Sequence, residues 1–465
     1  MFAPAWLSPV TAHASRLTHH RTPLTRPLFT IPFALFLSCS PPYFPGDQVK
    51  AEFIHSWNAY KQYAWGHDAL RPLSKTYRDW YGVPLLMTPV DAYDTMILMG
   101  LRDEAAEAKR LILDSLSFDR DIEVQSFEIT IRLLGGLLTI YEMDGDPKFL
   151  ELAKDLGTRL LPVFNSATGM PYRYVHLQTG AIRDSINNPA EIGTALIEFG
   201  TLSRHTGDPV FFEKANTALS ELFDRRSGIG LVGTRIDVET GEWVNTSSHV
   251  SGAIDSYYEY LLKAALLFGD EECRTMYDES MRAVHAHLAD TVDGRLWYGH
   301  ADMYSGKRTR TIFGALDAFL PAVLALDGDL ERAENLQESA FAMWSKHGIE
   351  PEQYDYASDS VVSAGYPLRP EIVESAYYLY KFTGKERYKE MGEVILRDLI
   401  RYCRVDAGYA HLKDVRTKEK VDSMESFFLA ETLKYLYLLL GPEHVLDFGS
   451  VVFNTEAHPV GRSGE

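Results

Sequence analysis

Phe453-Asn454-Thr455-Glu456-Ala457-His458-Pro459 places a hydroxyl, a carboxylate and an imidazole within four residues, near the end of a 465-residue chain. Chain ends are where disorder concentrates, so a stretch this rich in chemistry is out of character there. Val451-Val452-Phe453 just before it is apolar and β-branched, and reads as a short strand that has to be buried. The expectation is that the tail turns back into the protein and carries Thr455 and Glu456 to an active site. Other carboxylates lie in apolar, aromatic-rich segments: Glu128, Glu191, Glu198, Asp255, Glu371, Glu374, Glu425 and Glu431. Surface charge does not explain them; capping of helix N-termini, which favour negative groups, is the structural alternative to chemistry. Glu128 and Arg132 are four apart and share a helix face. Arg369-Pro370-Glu371-Ile372-Val373-Glu374 opens a helix with Pro at its first position and puts Glu371 and Glu374 on one face. Buried carboxylates need protons, arginines or a cation to relieve them. Arg132 and Arg369 are candidates, and so is a hard divalent cation with oxygen ligands, Ca²⁺. Such carboxylates around a deep aromatic pocket suggest glycoside hydrolysis, in which one carboxyl protonates the leaving oxygen and another activates water or attacks directly.

The elements that must position these groups are helical from about Val49 onward. Apolar helices stop at Gly100, Gly145, Gly207, Gly269, Gly328, Gly384 and Gly441, with spacings of 45, 62, 62, 59, 56 and 57 residues. Gly is the common terminator because it takes the left-handed conformation without a Cβ penalty. The helix before each stop is apolar on most faces, as in Ser256-Tyr257-Tyr258-Glu259-Tyr260-Leu261-Leu262, and is therefore buried all round. The one after it is amphipathic, as in Pro147 to Lys154. Seven such hairpins predict an all-α (αα)7 toroid, inner helices ringed by outer ones, with the terminal strand or hairpin plugging the barrel; an open solenoid is the alternative. The carboxylates lie at similar distances before the stops: Glu128 17 residues, Glu191 16, Asp255 14 and Glu371 13, with Glu198, Glu374 and Glu431 9 or 10. They should gather at one end of the barrel.

The net charge of −19 excludes nucleic acid as a partner, since phosphate binding needs an excess of Lys and Arg. Three cysteines, Cys39, Cys273 and Cys403, make neither a disulfide framework nor a CxxC motif. Cys273 and Cys403 either pair in an exported protein or stay as buried thiols. No acidic residue precedes Asp47, and Arg16, Arg21 and Arg26 lead into the apolar run Leu28 to Leu37. Residues 1–47 read as a secretory signal or a disordered extension, residues 48–460 as the toroid and 461–465 as a tail. Membrane association would come only from an uncleaved signal or a lipidated Cys39. Asn245-Thr246-Ser247 is an N-glycosylation sequon if the chain enters a eukaryotic secretory pathway.

The segments Tyr63 to Pro72, Val90-Asp91-Ala92-Tyr93-Asp94-Thr95, Phe127 to Gly136, Ile254 to Leu261, Leu368-Arg369-Pro370-Glu371, Met424 to Thr432 and Phe453 to Pro459 resemble glycoside hydrolase family 47, the class I α-mannosidases. The resemblance runs from about Phe53 to Pro459. It implies an (αα)7 barrel and an inverting, Ca²⁺-dependent exo-hydrolase that removes α-1,2-linked mannose from high-mannose N-glycans or glycoproteins. By the resemblance, Glu128 is the general acid, Asp255 assists proton delivery or is an alternative acid, and Glu371 is the general base. Thr455 binds calcium through its hydroxyl and carbonyl. Glu374, Glu431 and Glu456 hold calcium-bound waters or sugar hydroxyls, and Glu191 and Glu198 count with the substrate-binding carboxylates. Phe427 lies under the mannose, Arg132 and Arg369 line the site, and His458 is structural. Ala253 and Ala315 stand where ER-type processing enzymes carry Arg and His, and Ala318 replaces a cysteine of their disulfide. These departures resemble the branch of ER degradation-enhancing α-mannosidase-like proteins, which brings the expectation of a redox partner. They also keep open a second reading, a mannose-binding, lectin-like quality-control receptor with little turnover. The location is expected to be the ER lumen or secretory pathway, or a bacterial periplasm or cell surface.

Overall fold

Gly100, Gly145, Gly207, Gly269, Gly328 and Gly384 have φ between +65° and +92° in the computed structural model, which describes residues 44–462. Each closes an inner helix, and two or three residues later an outer helix begins. The inner helices end with Tyr93–Leu98, Gly135–Asp144, Leu196–Thr206, Asp255–Phe268, Leu320–Asp327, Glu371–Thr383 and Leu433–Leu440. Each packs on the next, and the turn leading into Leu433–Leu440 packs on Tyr93–Leu98, so the ring closes as an α/α barrel. The two layers bury differently. In Asp255–Phe268, Ser256 to Ala265 are all buried. In the outer helix Arg387–Tyr402, burial falls on Tyr388, Met391, Gly392, Ile395, Leu396 and Leu399, a one-sided stripe at helical spacing.

The seventh stop departs from the pattern. Gly441 is extended (φ −89°, ψ −165°), because the following Pro442 disfavours helical backbone in the residue before it. No long helix follows it among the described residues. The seventh outer helix is instead the first described one, Pro45–Tyr63, which packs against Leu433–Leu440. A Cβ on Gly46 would lie 2.6 Å from the Cα of Gly441, so the two glycines permit the closest approach at this seam. The helix Pro45–Tyr63 runs across the boundary expected after residue 47. The signal and lipidation readings fall on residues outside the described ones. Cys273 and Cys403 are both fully buried and free among the described residues, the second of the two alternatives read from the sequence. No described helix is long and apolar enough to cross a membrane.

The long connections run from each outer helix to the next inner one, and they hold most of nine small sheets of two or three strands among the described residues. These were not expected from the sequence, because strands of two to four residues are too short to display alternation. The last sheet is a hairpin in which Val451–Phe453 pairs antiparallel with Pro459–Gly461, Val452 opposite Val460. It packs on Asp255–Phe268 and Gly135–Asp144, with Ile197, Tyr260 and Leu267 against Val452 and Val460.

Candidate active site

The starts of the inner helices converge on a cavity of about 420 Å³. Eleven of the twelve expected site residues line it: Glu128, Arg132, Glu191, Asp255, Arg369, Glu371, Glu374, Phe427, Glu431, Thr455 and Glu456. The twelfth, Glu198, does not.

Glu128 lies in the single turn Ser126–Ile129, which runs into a π-helical turn, Thr130–Leu134. That wider turn carries Arg132. Its Nε donates to Glu128 Oε2 at 2.9 Å, its Nη1 pairs with Glu456, and Asp91 lies 3.7 Å away. The guanidinium also lies over Trp80 and Phe427, at 5.2 and 5.6 Å from the ring centroids. Burial opposes its charge, but Glu456, Glu128, Asp91 and Glu431 outweigh that and hold the proton firmly. A second π turn, Phe428–Thr432, follows Phe427 and carries Glu431. Single π turns inside α-helices are often found at functional sites; both described here abut the cavity.

Asp255 is the first residue of its helix, and the backbone N–H of Ser256 donates to it at 2.9 Å. Burial pushes its carboxyl up to about 6, Glu259 adds to this, and the Ser256 N–H and Arg369 oppose it. Two residues earlier, Ala253 has φ +76°, a strained backbone for a residue with a Cβ. Its carbonyl accepts from Ala190 N at 3.0 Å, tying this helix start to the segment that carries Glu191. Ala253 offers only a methyl group to the cavity.

Glu371 also begins its helix. Burial pushes its carboxyl up to about 8; Arg369 opposes this, Glu352 and Glu374 add to it, and Oε2 is buried without a hydrogen-bond partner. Arg369 is held by Glu352 through two bonds of 2.9 and 3.2 Å. Glu374 accepts from Tyr435 at 3.2 Å and lies 3.8 Å from Lys263, which pairs with Glu259. Burial, with Glu259 adding and Lys263 opposing, puts Glu374 at about 7. Glu191 accepts from Arg173 twice, at 2.9 Å each, and from Gln125 and Asn188 at 3.0 and 2.9 Å. Arg173, Gln125, Asn188, Lys263 and Glu352 were not picked out from the sequence, since they lie on the long connections or inside an apolar helix with no periodic signal.

The tail supplies the remaining wall. Asn454 Nδ2 donates to the Ile131 carbonyl at 3.0 Å and to Glu198 at 2.8 Å. Its Oδ1 accepts from the N–H groups of Glu456 and His458, at 2.9 and 2.8 Å, closing a tight turn that presents Thr455. Tyr260 bridges the same elements, donating to Glu198 at 2.6 Å and accepting from Thr455 N at 3.3 Å. Glu198 thus anchors the tail from behind instead of facing the cavity. A Cβ on Gly135 would fall 2.6 Å from Asn454 Nδ2, which explains one residue of the Gly135-Gly136 pair. His458 is fully buried, 2.9 Å from Asp94 and 3.5 Å from Asp91; Lys434 donates to Asp94 at 2.8 Å and to the Ala457 carbonyl at 2.7 Å.

Eight carboxyl groups and four guanidiniums line the cavity, so protons or a cation must balance the rest. Burial and neighbouring carboxylates push Glu431 well up, and burial puts Glu456 at about 8 despite Arg132. Among the described residues no three His, Cys, Asp or Glu side chains converge as a direct metal-ligand set. Neither the hydroxyl nor the carbonyl of Thr455 takes a hydrogen bond among them. A wall with eight carboxyls against four guanidiniums, together with these two free oxygens, fits a hard cation reached partly through water.

A family model described as glycosyl hydrolase family 47 matches residues 52–462. ER degradation-enhancing alpha-mannosidase-like protein 2 of Mus musculus is 37% identical over 451 residues, covering 89% of this chain and 77% of that protein. The human endoplasmic reticulum mannosyl-oligosaccharide 1,2-alpha-mannosidase is 37% identical over 449 residues, covering 88% and 62%. Among solved structures, an alpha-1,2-mannosidase from Trichoderma reesei superposes with a TM-score of 0.84 at 28% identity, covering 90% of this chain and 99% of that one.

Proposed function

Because this chain belongs to glycosyl hydrolase family 47 and is a glycoside hydrolase, we propose that its cavity removes terminal α-1,2-linked mannose from high-mannose glycans, with inversion and with bound Ca²⁺. The observation that carries this reading is the cavity itself, which collects Glu128, Asp255 and Glu371 on one wall system with Thr455 and Glu456. Glu128 is the general acid. Arg132, its partner at 2.9 Å, orients it and balances its charge after the proton leaves for the glycosidic oxygen. Asp255 serves the same proton, directly or through water. Glu371 is the base that takes the proton of the attacking water. Phe427, flanked by Arg132 and Arg369, is the platform for the sugar face. Thr455 would hold Ca²⁺ by its hydroxyl and carbonyl, with Glu374, Glu431 and Glu456 on its waters or on sugar hydroxyls. Bound there, the ion supplies charge neutralisation and orients hydroxyls and water. The terminal hairpin plugs the barrel behind this floor, and the setting is the secretory pathway, as the ER named in the relatives suggests.

The test is incubation with a defined high-mannose glycan, with and without a chelator, read by mass and linkage. Mannose release that stops on chelation is expected, and NMR should see the β anomer first. Release of the α anomer would overturn inversion. The bare methyl of Ala253 on the cavity wall favours a second reading, a mannose-binding receptor. Tight glycan binding with no mannose released over a long incubation would establish that reading instead.

A further inference from the structure

Glu350 lies in the turn between the outer helix Leu330–His347 and Pro351. It is fully buried, and neither carboxyl oxygen has a hydrogen-bond partner among the described residues. An ionised carboxylate in such a place would be far costlier than a neutral acid. The charged and titratable groups that reach it are Glu371 at the start of its helix, Glu352 two residues along its own segment, Arg369, and the phenol of Tyr366, behind which lies Cys403. Arg369 is already committed to Glu352 at 2.9 and 3.2 Å. Glu371 has a matching gap, since its Oε2 is also buried and unpartnered.

Two neighbouring buried carboxyls do not both ionise. Their surroundings decide which keeps the proton. Glu371 opens on the cavity, begins a helix whose dipole favours negative charge, and follows Arg369 by two residues. Glu350 has no opening, no helix start and no free cation. Burial, Glu371 and Glu352 push Glu350 well up, whereas burial with Glu352 and Glu374, opposed by Arg369, pushes Glu371 to about 8, so Glu371 is the first of the two to ionise.

We propose that Glu350 is a positioning residue for Glu371: the two form a carboxyl pair holding one proton, Glu350 keeps it, and the single negative charge stays on the member that faces the cavity. This rests on Glu371 being the base. During turnover the water O–H bond breaks, its proton goes to Glu371, the water oxygen bonds the anomeric carbon, and the glycosidic oxygen leaves with the proton of Glu128. The proton of Glu350 is a spectator that fixes where the charge sits.

The infrared difference between the calcium-loaded wild type and Glu350→Gln at neutral pH should show a protonated-carboxyl C=O band present only in the wild type. A carboxylate band in its place would overturn the proposal. Thermal unfolding gives a second readout. A carboxyl held neutral by the fold favours folding below its ordinary range near 4.5 and loses that advantage as pH rises, so the melting temperature of Glu350→Gln should gain on the wild type from pH 5 to 8. A constant difference would overturn it. In kinetics, Glu350→Leu removes the neutral dipole beside Glu371, and the acid limb of kcat/KM should move to higher pH by about one unit. Glu350→Gln should restore the limb; equal limbs in all three proteins would overturn the positioning role. The infrared and unfolding measurements do not depend on Glu371 acting as base, which Glu371→Gln tests separately by activity.

Discussion

Two buried charge clusters share one wall of this barrel and are built on opposite terms. Behind the tail, Asp94 meets Lys434 at 2.8 Å and His458 at 2.9 Å, and Asp91 accepts from Ser426. Burial alone would raise Asp94, but Lys434 and His458 hold it below the usual carboxylate range. Facing the cavity, Glu371, Glu374, Glu431 and Glu456 are all pushed up, by burial first. The first cluster has its counter-charges built in. The second has Arg132, Arg369 and Lys263 against more carboxyls than they balance, and a site short of positive charge is one that a cation, a proton or a transition state can complete. The contrast separates side chains that hold the tail from side chains that work on a substrate. Breaking one cluster should cost folding, and breaking the other should cost turnover.

The largest effect is expected from Glu371→Gln, which preserves shape and removes the base. Loss of about 10²–10⁴-fold in kcat is expected, with the melting temperature at neutral pH unchanged or raised, because a buried carboxyl is removed. Full activity in that variant would remove Glu371 from the chemistry. Lys434→Met is the converse. It strands Asp94 in the core and should destabilise by about 3–5 kcal/mol in denaturant unfolding, while the fraction that stays folded turns over at close to the wild-type kcat. If Lys434→Met left stability intact and removed activity, the division between the clusters would be wrong.

Much of this arrangement was legible in the sequence, and the failures have physical causes. The glycine stops mark a local event, a left-handed C-terminal residue, and six of them hold. Gly441 fails because the stop there is set by the next residue, a proline. The seventh outer helix came from the N-terminus because ring closure is a global property that no local period displays. Glu198 follows Glu191 by seven residues, across a break between the short helix Pro189–Gly193 and the inner helix Leu196–Thr206. Counting back from the stops gathered both at one end of the barrel, whereas Glu191 reaches the cavity and Glu198 the underside of the tail. Arg173 and Glu350 sit in the long connections, where identity without periodicity says nothing about burial.

Calcium tests the uncompensated side directly. A ligand that binds only the folded state stabilises by about 2.7 kcal/mol at a hundredfold excess over Kd, so added Ca²⁺ should raise the melting temperature and a chelator should lower it and stop mannose release. Thr455→Val removes one of the two oxygens and should weaken this response in both readouts. Melting temperatures indifferent to Ca²⁺ would leave the carboxylate wall to be balanced by protons alone.

The smallest effect concerns pH and separates the clusters without touching the cavity. Burial opposes the charge on His458, yet Asp94 and Asp91 raise it to about 9 from an ordinary value near 6.5. A group raised in the folded state contributes stability that is full below about 6.5 and is lost as pH rises through about 9. Glu371 and Glu374, raised to about 8 and 7, act in the same direction over an overlapping range beginning near 4.5. The wild type without calcium should therefore lose stability steadily from pH 5 to 9. Saturating Ca²⁺ should flatten the part due to the cavity carboxylates, because the ion takes the place of their protons. It should leave the His458 part untouched, since Asp94 and Lys434 already fix its surroundings. His458→Gln measured with calcium present should thus lie furthest below the wild type near pH 6 and approach it near pH 9. A gap that stayed constant with pH would mean that the imidazole is neutral and that the first cluster is held by Lys434 alone.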